Sequence, residues 1–436
     1  MPSVSKFWLP SPQEFQKHIQ IVPKPGEPTV PFPLVIEPSN SAVTVADVLE
    51  SVRTELSPRH GDTLESNPIR TLLDQNGGAV YLKSLPLRSV DDFSQFLDAL
   101  SGTGKASWYP YDPVAMNVLR KVRAKNVLTV NEYSSILQCT CVPLLIIARG
   151  PPSHVIMWHS EFSISPSHPA YVVFFCLKPA ESGGKTGISS SLAVCNRLRA
   201  ACPRFLQACV DKGFSYPAPH HVAESDSIFF GNGLYKKTAF GPADGQDISS
   251  FSEQEKRHIV EGRIRELARL GGWKDSNMQD MELPAWQQRG FDWVWRSDGV
   301  DVYQRVPGLR VHPTRKTNTL FTALGSRYIN AKNRKTFDPP HTWINEDGKE
   351  NVYLPPMYAG VPEDELIPEK DLDTVHGLQQ EFAVEIDWEI GDVLIIDNFA
   401  VQHSRLPWTG DRRIMASFWD QDGLNAEAVT TMNIDP

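Results

Sequence analysis

Several things are scarce in this sequence, and each scarcity excludes a class of protein. No uninterrupted apolar run reaches the roughly 18 residues that a membrane-crossing helix needs. The opening residues, MPSVSKFWLPSPQEF, lack the apolar core of a secretory leader. There are only 6 cysteines (Cys139, Cys141, Cys176, Cys195, Cys202 and Cys209) and no CxxC pair, so neither a disulfide framework nor a thiolate metal site is expected. Cys139 and Cys141 alternate as strand neighbours do and read as packing. Lys/Arg blocks are missing, and 52 acidic residues outnumber 43 basic ones, for a net charge of −9. A nucleic-acid partner needs a basic surface and is therefore not expected. Repeats and low-complexity tracts are also missing. The expectation is a cytoplasmic protein with free thiols, no membrane and no nucleic acid, its partner a small molecule and its oligomeric state open.

What is present is an ordinary globular composition, 41% hydrophobic and 22% charged, over 436 residues. Residues 1–60 read as a proline-rich N-terminal arm and lead-in, with Pro23, Pro25, Pro28, Pro31, Pro33 and Pro38 favouring extended chain lying on the body. Residues 61–436 read as one domain with an insert or lid at about 205–380. Within it, AVYLKSL (79–85) is a strand, and Ser89 opens a helix whose Phe93, Phe96, Leu97 and Leu100 form one stripe. Residues 127–177 are mostly β, ending in the buried run Tyr171–Leu177. Residues 188–212 turn helical with a break near Pro203. Ser252 and Glu255 form a capping box for a helix that stops at Gly271. Residues 383–398 and 412–419 return to strand. The order is mainly β with surrounding α, which suits a β-sandwich barrel with a long, partly helical insert.

Four segments carry the chemistry. In Met157-Trp-His159-Ser160-Glu161, the period of a strand puts His159 and Glu161 on one face, where both can reach one divalent ion. In Asp392–Trp408, four apolar residues lead into Asp397-Asn398, and His403 follows as a third ligand. Two His and one carboxylate make a facial triad that leaves coordination positions open. In Asp411-Arg412-Arg413, arginine can clamp a carboxylate with paired hydrogen bonds. The two arginines point to opposite faces, so at most one enters the barrel; Arg413, Met415 and Ser417 share one face. In Glu181-Ser-Gly-Gly184-Lys-Thr186, the glycines permit a tight turn, and the threonine hydroxyl can bond a carboxylate.

The order HxE, then FFCLKPAESGGKT, then GDVLIIDNFAVQHSRLPWTGDRR resembles the TauD/TfdA-type 2-oxoglutarate dioxygenases, in particular the clavaminate-synthase-like branch. The likeness covers roughly residues 75–190 and 310–420. It implies a double-stranded β-helix, or jelly roll. It also implies Fe(II) on His159, Glu161 and His403, with 2-oxoglutarate and O2 as co-substrates. Arg413 would pair with the distal carboxylate of 2-oxoglutarate, and Thr186 would hydrogen-bond it. The implied activity is oxidation of an unactivated C–H bond (hydroxylation, desaturation or ring closure) in an amino acid or secondary-metabolite precursor. Ser160, Asn131, Asn232 and Arg405 are the candidates for the substrate pocket. The chain departs from the family pattern at Ser160, at Lys185-Thr186-Gly187 and at Lys83-Ser84. Two alternatives use the same fold or ligands: a zinc hydrolase on the His/Glu/His set, and a catalytically silent binding protein.

Overall fold

The computed structural model describes residues 7–21, 28–111, 122–129, 152–224, 233–271, 283–344 and 350–424. Eight strands form the centre: β1 (Val127–Thr129), β2 (Ile156–His159), β3 (Tyr171–Lys178), β4 (Thr186–Ser190), β5 (Ala383–Ile386), β6 (Val393–Asp397), β7 (Val401–Arg405) and β8 (Arg413–Asp420). They make two antiparallel layers, ordered β6-β3-β8-β1 and β5-β4-β7-β2. The chain crosses between layers at every step except β4 to β5, which are neighbours in one sheet. This is a jelly roll, interrupted at that one place by residues 191–382.

β3 shows why the larger sheet sits in the middle of the molecule. Its residues are apolar on both faces, so both faces are covered. Val172, Phe174 and Cys176 point between the layers with Ile188, Leu394, Ile396, Ile414, Ala416 and Phe418. Tyr171, Val173 and Phe175 point outward, where the helix Val90–Ser101 covers them with Phe93, Phe96, Leu97 and Leu100. Ser89 and Asp92 close a capping box at that helix start, as the sequence pattern predicts, and Phe93 stacks on Phe175 at 4.8 Å. Burying each such aromatic contributes roughly 1.5–3 kcal/mol.

The N-terminal segment is more than an arm on the surface. Leu34–Pro38 pairs in parallel with Ala79–Leu82, which pairs with β6, and Trp8–Pro10 pairs with Leu34–Pro38. The prolines at 33 and 38 bound this strand, while Val35 and Ile36 are buried. Proline at a strand end removes no ladder hydrogen bond.

The segment between β4 and β5 packs on the smaller sheet. It opens with the helices Ser191–Ala201 and Pro203–Asp211, broken at Pro203 as expected, although residues 186–190 before them are strand. The helix Glu253–Leu270 has the Ser252–Glu255 capping box and ends at Gly271. The helix Leu324–Arg334 lies against β2; a Cβ on its Gly325 would come within 3.0 Å of Trp158 Cβ, so glycine sets that close approach. Among the described residues, no helix is long and apolar enough to cross a membrane.

Candidate functional site

The candidate metal centre sits where β2 and β7 meet. His159 and His403 are register partners, with ring centroids 4.2 Å apart. Glu161 Oε2 lies 3.2 Å from His403 Nε2 and 4.0 Å from His159 Nε2. Donors set about 2.1 Å from one ion and at right angles lie about 3 Å apart, so the three groups fit a single divalent ion on one side of it. His159 Nδ1–H donates to the Met157 carbonyl at 2.8 Å, which leaves Nε2 with its lone pair facing the carboxylate.

Glu161 is not held by strand geometry. β2 ends at His159, and Phe162 has a φ of 57°, so the chain turns sharply just past the carboxylate. Asn398 holds the turn. Its side-chain oxygen accepts from the Glu161 N–H at 2.7 Å, and its NH2 donates to the Glu161 and Pro169 carbonyls at 3.0 and 2.8 Å. Asn398 is fully buried, at the corner between β6 and β7. The Asp-Asn pair after an apolar strand was the visible signal of a corner; its role as the clamp on a ligand was not legible.

A second feature lies on the same inner wall. Thr186 on β4 faces Arg405 on β7, as Ile188 faces His403. Residues two apart share a face, so Arg405 and His403 both look inward. The Thr186 hydroxyl oxygen accepts from Trp388 Nε1 at 2.9 Å and from Arg412 Nη2 at 3.3 Å, while Arg412 Nε donates to the Gly184 carbonyl at 2.8 Å. Gly183 and Gly184 both have positive φ, and a Cβ on Gly184 would come within 2.9 Å of the Arg412 side chain. The paired glycines thus make the turn under which this arginine lies. Burial, and after it the charge of Arg405, pushes the Arg412 guanidinium toward losing its proton. The very high intrinsic pKa of arginine keeps it charged.

The arginine beside Thr186 is Arg412, not Arg413. Ile414, Ala416 and Phe418 line the interior, and alternation carries Arg412 with them. Arg413 is on the other face with its side chain 51% exposed, paired with Asp411 at 3.0 Å. Both faces of β8 are apolar, so the pattern told which residues share a face but not which face is inside.

Of the other candidates, Ser160 is buried and its N–H donates to the Thr322 carbonyl at 2.9 Å, tying the loop that carries Glu161 to the insert. Arg405 lies over the same Trp408 ring as Arg412. Asn131 and Asn232 lie outside the described residues. Arg412, Trp388, Trp408 and Asn398 are functional candidates that sequence reasoning missed.

Another cluster also has the ligand types for a metal: Asp74, His312 and Asp397. Its centre is taken by Arg70, which hydrogen-bonds both carboxylates and lies 3.2 Å from His312 Nε2. Burial works to raise the pKa of Asp397, but Arg70 and then His312 outweigh it and hold the carboxyl far below its usual range.

The profile described as "Taurine catabolism dioxygenase TauD, TfdA family" matches residues 58–419. A clavaminate synthase-like protein of Arabidopsis thaliana is 25% identical over 410 residues, covering 94% of this chain and 96% of that one. A dapdiamide synthesis protein of Enterobacter agglomerans is 22% identical over 310 residues, covering 71% and 79%. Among solved structures, AAD-2 in complex with Mn(II) and N-oxalylglycine aligns at a TM-score of 0.39 and 12% identity, over 89% of this chain and 95% of that one. A taurine dioxygenase from Burkholderia xenovorans aligns at 0.38 and 13%, over 89% and 86%.

Proposed function

The chain belongs to the TauD, TfdA dioxygenase family and is a 2-oxoglutarate-dependent dioxygenase; from that premise we propose that it oxidises an unactivated C–H bond of a small organic substrate, with Fe(II) on His159, Glu161 and His403 and the distal carboxylate of 2-oxoglutarate on Arg412 and Thr186. The observation that carries this reading is the shared inner face of β4 and β7, with the triad at His403 and the guanidinium–hydroxyl pair beside Thr186. Two residues along a strand span roughly 7 Å, the scale of a five-carbon diacid lying between a metal and a cation.

Fe(II), when bound with 2-oxoglutarate and O2, supplies the oxidising chemistry. The chain supplies position and dryness. The His159–Met157 hydrogen bond sets the imidazole so that Nε2 is the ligand atom. Asn398 fixes the backbone of Glu161 on both sides, so the carboxylate does not swing. Arg412 neutralises the far end of the co-substrate, and Trp388 orients the Thr186 hydroxyl by donating to it. Burial of Glu161, His403, Thr186 and Arg412 keeps bulk water from both ends. A zinc hydrolase on the same ligands would leave the Arg412–Thr186 pair without a role.

The names of the two relatives, clavaminate synthase-like and dapdiamide synthesis, support an amino acid or secondary-metabolite precursor as substrate. Hydroxylation, desaturation and ring closure are outcomes that the substrate's pose selects. The test is a substrate screen read as 2-oxoglutarate-dependent succinate release, joined to the two arginines. R412Q is expected to raise the KM for 2-oxoglutarate about 10- to 100-fold, from loss of a charged hydrogen bond. R413Q should leave it within about twofold. The reverse ranking would return the co-substrate role to Arg413, and absence of succinate with every substrate would sink the oxygenase reading.

A further inference from the structure

Arg405 is buried on β7, two residues from His403 and directly opposite Thr186. Its guanidinium donates to the His154 carbonyl at 3.2 Å, and its Nε is buried with no hydrogen-bond partner among the described residues. Among the described residues, no carboxylate pairs with it. It stacks on the Trp408 ring at 4.8 Å, and Arg412 stacks on the same ring at 5.5 Å.

Two like charges sharing one buried indole are costly unless an anion joins them. A carboxylate offers about four lone-pair positions on two oxygens, enough to accept from two guanidinium groups and a hydroxyl at once. We propose that Arg405 is a second guanidinium for the distal carboxylate of the co-substrate, so that Arg405, Arg412 and Thr186 form a two-arginine clamp selecting 2-oxo acids that carry a second carboxylate. This rests on the assignment of Arg412 and Thr186 made above. It also moves Arg405 from the substrate pocket to the co-substrate pocket.

The test is binding, not turnover. Mn(II)-loaded protein is titrated by calorimetry with 2-oxoglutarate and with 2-oxopentanoate, which has the same chain without the distal carboxylate. Wild type should prefer 2-oxoglutarate by about 100-fold or more. R405Q should weaken 2-oxoglutarate by about 10- to 100-fold and leave 2-oxopentanoate within about twofold. R405K, which keeps the charge but not the planar fork, should fall between. If R405Q does not fold, R405K carries the test alone, with a loss of about threefold or more confined to 2-oxoglutarate. Equal loss for both ligands would make Arg405 a support of the fold, and no loss for either would remove it from the pocket; both overturn the clamp. A wild type without preference for 2-oxoglutarate would instead overturn the Arg412–Thr186 assignment itself.

Discussion

Among the described residues, the two clusters that could hold a metal are built from the same chemistry and do opposite things. His159, Glu161 and His403 converge on one another, and the acid reaches both imidazoles from one side. Asp74, His312 and Asp397 converge equally, but Arg70 already stands in the middle as a permanent cation. The first is a candidate metal site, and the second is an ion-pair knot closed by an arginine. Ligand count and burial do not separate them; the occupant does. They touch through a single corner, because Asp397 of the knot precedes Asn398, which clamps Glu161.

The largest expected difference is in turnover. H403A removes a ligand and should abolish succinate release, whereas H312N should retain most of it, and Mn(II) should bind at one equivalent in wild type and H312N alike. Two equivalents in wild type, lost in H312N, would make the knot a second metal site. Next in size is stability. R70M leaves Asp397 buried without its cation and should lower unfolding stability by about 3–5 kcal/mol, read by chemical denaturation. A loss under 1 kcal/mol would show that the knot is not what holds the corner. Third is the link between the clusters. N398A frees the Glu161 backbone and should weaken Mn(II) binding about 10- to 100-fold while the fold persists; unchanged affinity would detach the corner from the metal.

The smallest effect is acid sensitivity. Burial pushes His168, His220 and His312 below the usual imidazole range, His220 to about 3. The folded chain keeps them neutral, while the unfolded chain takes up protons below a pH of about 6.5. The unfolded state therefore binds more protons there, and stability is full above that pH and falls as pH drops toward about 5. Thermal melts should show the midpoint falling over this range, with a shallower fall in H312N. A midpoint that rises on acidification would contradict buried neutral histidines.

Much of the frame was legible in the residues. Capping boxes at Ser89 and Ser252, the break at Pro203 and the run Tyr171–Leu177 each use local chemistry, and each appears where that chemistry puts it. The strand made by Leu34–Pro38 was hidden, because prolines around a short apolar run look the same in an arm and in a bounded strand. Arg70 and His312 were silent as well. Arg70 meets His312 and Asp397 across 242 and 327 residues of sequence, and His312 meets Asp397 across 85, which leaves no local pattern.

What the sequence by itself determined is the kind of groups and their spacing: a His and a Glu two residues apart, a distant His after an apolar strand, a Gly-Gly turn before Thr186, and two arginines at the head of a last strand. Period and propensity are local physics and can be read locally. Tertiary structure alone decided which of Arg412 and Arg413 faces inward, which acid–histidine cluster is closed by an arginine, and that Arg405 shares an indole with Arg412. A strand covered on both faces carries no mark of which face is the interior, and a buried charge shows its partner only once distant segments have packed around it.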